Sequence, residues 1–177
     1  MMLLVALALG VNAKSFAQSE TFKAFKVEFS AGLSWATGKG GAGDAVIAME
    51  PKFAINDKLT FGLRLETAGR SYKGQDRLGE QEFSGSYMAT GDYYFNTNGL
   101  RPFASLGAGV MSVSAFNTER TDFVIVEKDV LAFAPRAGFE TGHFRLGVEY
   151  NIATKSYGLN SNYASLKFGF FLGGGRK

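Results

Sequence analysis

Bulky apolar residues recur at every second position in eight separate stretches of the chain. A period of two is the spacing of one face of a β-strand, and it is incompatible with the 3.6-residue period of an amphipathic helix. The stretches are 27–35, 47–55, 59–65, 85–95, 102–110, 131–139, 144–152 and 166–172. The fifth, for example, places Pro102, Ala104, Leu106, Ala108 and Val110 on one parity, with Phe103, Ser105, Gly107 and Gly109 between. The apolar parity of all eight carries no charged residue. Composition agrees with strands. Gly (23) and aromatics (14%) are abundant and are poor helix formers, while 46% apolar residues exclude a disordered chain. No cysteine is present, which removes disulfide scaffolds and Cys-ligated metals. The net charge of +3 is spread along the chain and forms no nucleic-acid-binding patch.

The connections alternate in length. Asn56-Asp57-Lys58, Asn96-Thr97-Asn98-Gly99 and Thr141-Gly142-His143 have tight-turn chemistry. The stretches 36–44, 68–82, 112–130 and 153–162 read as long loops, the third with a β-prone tip at Phe123 to Val126. Short turns at one end and long loops at the other predict an all-β, eight-stranded antiparallel up-and-down barrel, and a transmembrane one if its apolar face is outside. Ahead of it, Met2 to Val11 is an apolar run too short to span a bilayer as a helix. It suits a secretory signal, with cleavage after Ala17. The expected organisation is a signal peptide over 1–17 and one barrel domain over 18–177.

The second parity decides which way round the barrel is. It is small: Gly32, Gly62, Gly107, Gly109, Gly138, Gly147, Gly169 and several serines belong to it. Glycine weakens a water-facing strand but suits the crowded interior of a narrow barrel. The same parity carries Lys26, Lys52, Arg64, Arg136, Arg145 and Lys167 against Glu28, Glu50, Glu66, Asp92, Glu140 and Glu149. Equal numbers of each sign are what burial requires, because a buried charge must be paired. The expected interior is therefore a structural charge network that plugs the barrel. The apolar parity then faces lipid, with Trp35, Tyr87, Tyr93, Phe95 and Tyr150 as interfacial aromatics. The reverse orientation, a soluble lipocalin-like barrel around a ligand, is the alternative. Pro51, Pro102 and Pro135 all fall inside the expected strands, where they fit only as strand ends or bulges.

The segments Ser15-Phe16-Ala17-Gln18, 101–110 (RPFASLGAGV), 134–139 (APRAGF) and 166–171 (LKFGFF) resemble the small eight-stranded outer-membrane β-barrels of the OmpX and OmpA-transmembrane-domain type, with the flavour of the Bacteroidetes barrel domain. The resemblance implies residence in the outer membrane of a Gram-negative bacterium. Short turns and N-terminus would lie in the periplasm and long loops outside, in contact with lipid and lipopolysaccharide. It also implies either membrane stabilisation or an accessory role in a larger outer-membrane complex.

A second alternative is a lipid-modifying barrel enzyme. Such enzymes pair His with Ser, Asp or Glu near the outer rim. The single histidine, His143, lies in a short turn at the opposite end, so no catalytic residues are assigned. No cofactor is expected. Loop carboxylates at Asp44, Asp76, Glu80, Glu82, Glu119, Asp122, Glu127 and Asp129 lack metal-site spacing, so no metal is expected either. The glycine-rich 38–43 segment lacks the order of a phosphate loop. Arg70, Lys73 and Arg77 are candidate contacts for lipopolysaccharide phosphates.

Overall fold

A computed structural model describes residues 21–37, 41–72, 80–117, 126–154 and 161–174. Its strands are β1 (Phe25–Ala36), β2 (Gly41–Ala54), β3 (Leu59–Tyr72), β4 (Glu80–Tyr94), β5 (Leu100–Asn117), β6 (Val126–Thr141), β7 (Phe144–Ala153) and β8 (Tyr163–Gly173). Each pairs antiparallel with the next, and β8 pairs back onto β1, so the sheet closes and leaves no edge. The fold is the eight-stranded up-and-down barrel that the alternation predicts.

The pleat sends the two parities to opposite faces. Along β7, exposure and burial alternate without a break from Phe144 to Ala153. None of the apolar positions named for the eight stretches is buried. Leu63, Leu106, Leu131 and Phe168 are more than half exposed on the outer surface. The apolar face is outside, the reverse of a soluble ligand-binding barrel.

Several expectations need correction. The strands are longer than the alternation indicates, and they run into the stretches read as long loops. Asp44, Glu80, Glu82, Glu127 and Asp129 stand in strands, not loops. The cause is an inversion of the pattern at the long-loop ends. There Val46, Ala68, Met111, Val113, Ala132, Ala134 and Tyr163 point inward as a buried apolar cluster, while Thr67 and Asp129 face out. A reading that follows the outward apolar face stops where that face becomes polar. β5 and β6 pair as far as Ala115 and Val126, and β4 follows β5 to Asn117, so the extension belongs to the wall rather than to a hairpin standing clear of it. Phe123 to Ile125, Lys73, Asp76, Arg77, Glu119, Asp122, Gly38 to Gly40 and the segment 1–17 lie outside the described residues.

The prolines are neither strand ends nor bulges in two cases. Pro51 and Pro135 sit within β2 and β6. The β2–β3 ladder skips the positions between Met49↔Leu65 and Lys52↔Gly62. The β6–β7 ladder likewise skips those between Phe133↔Ile152 and Arg136↔Glu149. Proline has no N–H to donate, so the closed wall tolerates each ring by omitting local pairing on one side. Pro102 lies near the start of β5. The register shift in the wall falls elsewhere, between Ala42 and Val46.

Two glycines show how tightly the strands are coiled. A Cβ on Gly109 would lie 1.9 Å from the Tyr87 carbonyl oxygen, and one on Gly138 would lie 2.0 Å from that of Leu146. Only a residue without a side chain allows these strands to meet.

Candidate functional site

The barrel interior is where polar chemistry concentrates, and all eight strands contribute to it. The twelve charged residues singled out from the sequence all point inward and are buried. They form layers that follow the barrel from the short turns toward the long loops.

Nearest the short turns, Glu140 accepts from Lys26 Nζ at 2.6 Å, from the Tyr94 hydroxyl at 2.6 Å and from Arg101 at 3.2 Å. Tyr94 in turn accepts from Lys26 and from Arg145, each at 3.0 Å. In the middle layer, Asp92 takes three cations: Arg145 at 2.8 Å, Lys52 at 2.9 Å and Arg136 at 3.0 Å. Arg136 grips Glu50 with both terminal nitrogens, at 2.9 and 3.1 Å, the bidentate geometry that favours arginine over lysine. Lys52 also pairs with Glu28 at 2.7 Å. In the third layer, Glu149 pairs with Arg64 and with Lys167, and Asn151 donates to it at 2.7 Å. Glu66 pairs with Lys167 and accepts from the Tyr163 hydroxyl at 2.6 Å. Arg136 Nε, 3.9 Å from Glu149, links the middle and third layers.

Interior glycines make room for these long side chains. A Cβ on Gly169 would meet Glu28 Oε1 at 2.8 Å, and one on Gly62 would meet Lys52 Cγ at 3.0 Å. The periodic glycines and the charges are thus two halves of one packing solution.

The one-to-one balance of signs needs revision. Arg70 and Arg101 are also buried inside, giving eight buried cations to six buried carboxylates among the described residues. Arg70 stands in β3, donates to the Ser161 carbonyl at 2.9 Å and lies over the Tyr163 ring, so it is not a loop contact for lipopolysaccharide. Arg101 donates to the Asp57 carbonyl at 2.7 Å and sits 3.8 Å from the Tyr94 ring centroid. Aromatic faces and backbone carbonyls help to hold these additional cations, and Arg101 also pairs with Glu140. Tyr94, Tyr163, Asn151 and Phe103 complete the network. They share the charged parity, and that was the available signal for them.

Every one of the six carboxylates faces at least two cationic groups within 4.0 Å, an arrangement that neutralises and fixes charge. The histidine stands apart from it. His143 Nδ1 lies 2.9 Å from the Phe171 carbonyl oxygen, in the turn after β6. Among the described residues, no group of three His, Asp or Glu is placed to hold a metal.

The aromatics proposed for an interface are all exposed on the outer wall. Trp35 and Tyr150 both pair with Ala164 and so share one row toward the long loops. Tyr93 and Phe95 lie at the short-turn end, their rings edge-to-face at 5.5 Å. Tyr87 faces out from mid-β4, between Leu65 and Val110.

Comparison with solved structures settles the architecture. Neisserial surface protein A matches with a TM-score of 0.70 at 16% identity, over 87% of this chain and 99% of that one. The fold is that of the small eight-stranded outer-membrane β-barrels. The N-terminal barrel domain of OprF from Pseudomonas aeruginosa matches with a TM-score of 0.52 at 15% identity, over 83% of this chain and 97% of its own. Ail, the attachment invasion locus protein of Yersinia pestis, matches with a TM-score of 0.53 at 13% identity, over 86% and 99%. No family model matches the chain, and no curated protein matches it in sequence.

Proposed function

We propose that this chain is a non-enzymatic integral outer-membrane barrel whose interior is plugged by the layered charge network. One observation carries the reading: large apolar side chains cover the outside of a closed wall while paired charges fill the inside. That distribution suits lipid as the outer solvent. In water the same surface would be a continuous exposed apolar patch far beyond what a soluble monomer shows. The N-terminus and short turns lie on the periplasmic side and the long loops face outward. Trp35 and Tyr150 at one end and Tyr93 and Phe95 at the other are interfacial anchors, while Tyr87, also expected there, stands mid-wall. A cleaved signal peptide over 1–17 delivers the chain. Its direct partners are outer-membrane lipid and lipopolysaccharide.

A filled interior leaves the wall and the loops as the working surfaces. The protein is then a structural element of the membrane or an accessory subunit of a larger outer-membrane complex, in a bacterium of Bacteroidetes type. Tagged purification in mild detergent tests the accessory role. A stoichiometric outer-membrane partner supports it, and isolation as a lone barrel leaves the structural role. Lipid A analysis of a deletion strain tests the non-enzymatic reading. A lipid change reversed by the wild type but not by His143→Ala would overturn it.

A further inference from the structure

The segment just before β1 crosses the short-turn mouth of the barrel. Phe22 is buried, and its ring centroid lies 3.9 Å from the Arg101 guanidinium carbon. Tyr94 lies 3.8 Å from the same carbon, so two aromatic rings stack on one cation. Asp57, in the turn after β2, secures the segment. Its carboxylate accepts from the Thr21 N–H at 3.0 Å and from the Thr21 hydroxyl at 2.9 Å, while its carbonyl accepts from Arg101. The Ala54 N–H donates to the Ala24 carbonyl at 2.7 Å. Behind the segment is a void of about 10 Å³ bordered by Phe22, Lys26, Thr60, Arg101 and Glu140, which holds one water at most. On the other side of Phe22 is a recess of about 270 Å³ at Asn98, Gly99, Gly142 and His143 that also touches Arg101 and Glu140.

We propose that Thr21–Ala24 is a latch. It closes the β2–β3 side of the mouth, with Phe22 as the bolt and Arg101 as the catch, and keeps water from the void at Lys26 and Thr60. Its release opens that void without opening the barrel. The bolt, the catch and the Asp57 anchor come from three separate parts of the chain, so the latch is a tertiary device rather than a frayed strand end.

The chain has no cysteine, so single cysteines are clean reporters. Thr60→Cys lies behind the latch, Asn98→Cys lies in the open turn, and Ser34→Cys is buried near the long-loop end. Each full-length variant, refolded in detergent micelles, is exposed to a charged, water-soluble maleimide. The latch predicts that Thr60→Cys reacts at least about tenfold more slowly than Asn98→Cys. Adding Phe22→Ala raises the Thr60→Cys rate about tenfold and leaves Ser34→Cys unchanged. Asp57→Asn acts in the same direction and less strongly. Equal rates at Thr60→Cys with and without Phe22 would overturn the proposal. So would a parallel rise at Ser34→Cys, since that reports loosening of the whole barrel.

Discussion

Arg136 shows what a single interior residue does. It joins Glu50, Asp92 and Ser105 from a buried position. Arg136→Met would take from Glu50 its bidentate partner and leave it Lys52 alone, at 3.3 Å, and the expected loss is about 3 kcal/mol in urea unfolding from micelles. Adding Glu50→Gln should recover part of it, because much of the damage comes from the under-compensated partner rather than from a missing attraction. Glycines divide by the same kind of argument. A Cβ on Gly109 collides with backbone, whereas one on Gly85 meets nothing within 4 Å. Gly109→Ala is therefore expected to cost more than about 3 kcal/mol or to prevent folding, and Gly85→Ala to stay within about 0.5 kcal/mol. The same refolding and urea titration separates the two.

At the scale of the strand, the alternation carried the architecture because it holds wherever the outer face is apolar. β7 is legible from end to end for that reason. β5 and β6 extend beyond the alternating stretches because on β5 Met111 and Val113 turn apolar side chains inward, and on β6 the outer face is polar at Asp129. A period-of-two pattern that changes sign looks like a loop. Arg70 was misread with them, since it lies in the part of β3 beyond that change. Arg101 is hidden differently. It stands at the start of β5 beside a turn, and only the packing of Phe22 and Tyr94 reveals that it is enclosed. Pro51 and Pro135 mark two of the gaps in the ladders. Pro135→Ala supplies a donor to the interrupted β6–β7 ladder and should add about 0.5–1.5 kcal/mol, with slower amide exchange along Tyr150 and Asn151. Faster exchange there would show that the ring's fixed φ matters more than the missing N–H.

For the whole molecule, glycine, aromatics and charge answer to one geometry. Glycines let narrow strands meet and make room for arginine and lysine, carboxylates neutralise those cations, and apolar side chains are left to the outside. A closed wall held by its own ladder and ion pairs should resist SDS at room temperature. The unheated protein is expected to migrate differently from the boiled one on a gel, and identical migration after verified refolding would count against this stability. The central claim, that the outer parity faces lipid, is tested most directly along β7. Spin labels go on single cysteines at Leu146, Gly147, Val148, Glu149 and Tyr150 in vesicle-reconstituted protein, and collisions with oxygen and with a water-soluble nickel complex are measured. The account predicts high oxygen and low nickel accessibility at Leu146 and Val148, intermediate values at the interfacial Tyr150, and low oxygen accessibility at Gly147 and Glu149. Strong nickel collisions at Leu146 and Val148 would mean that this face meets water, and would contradict it.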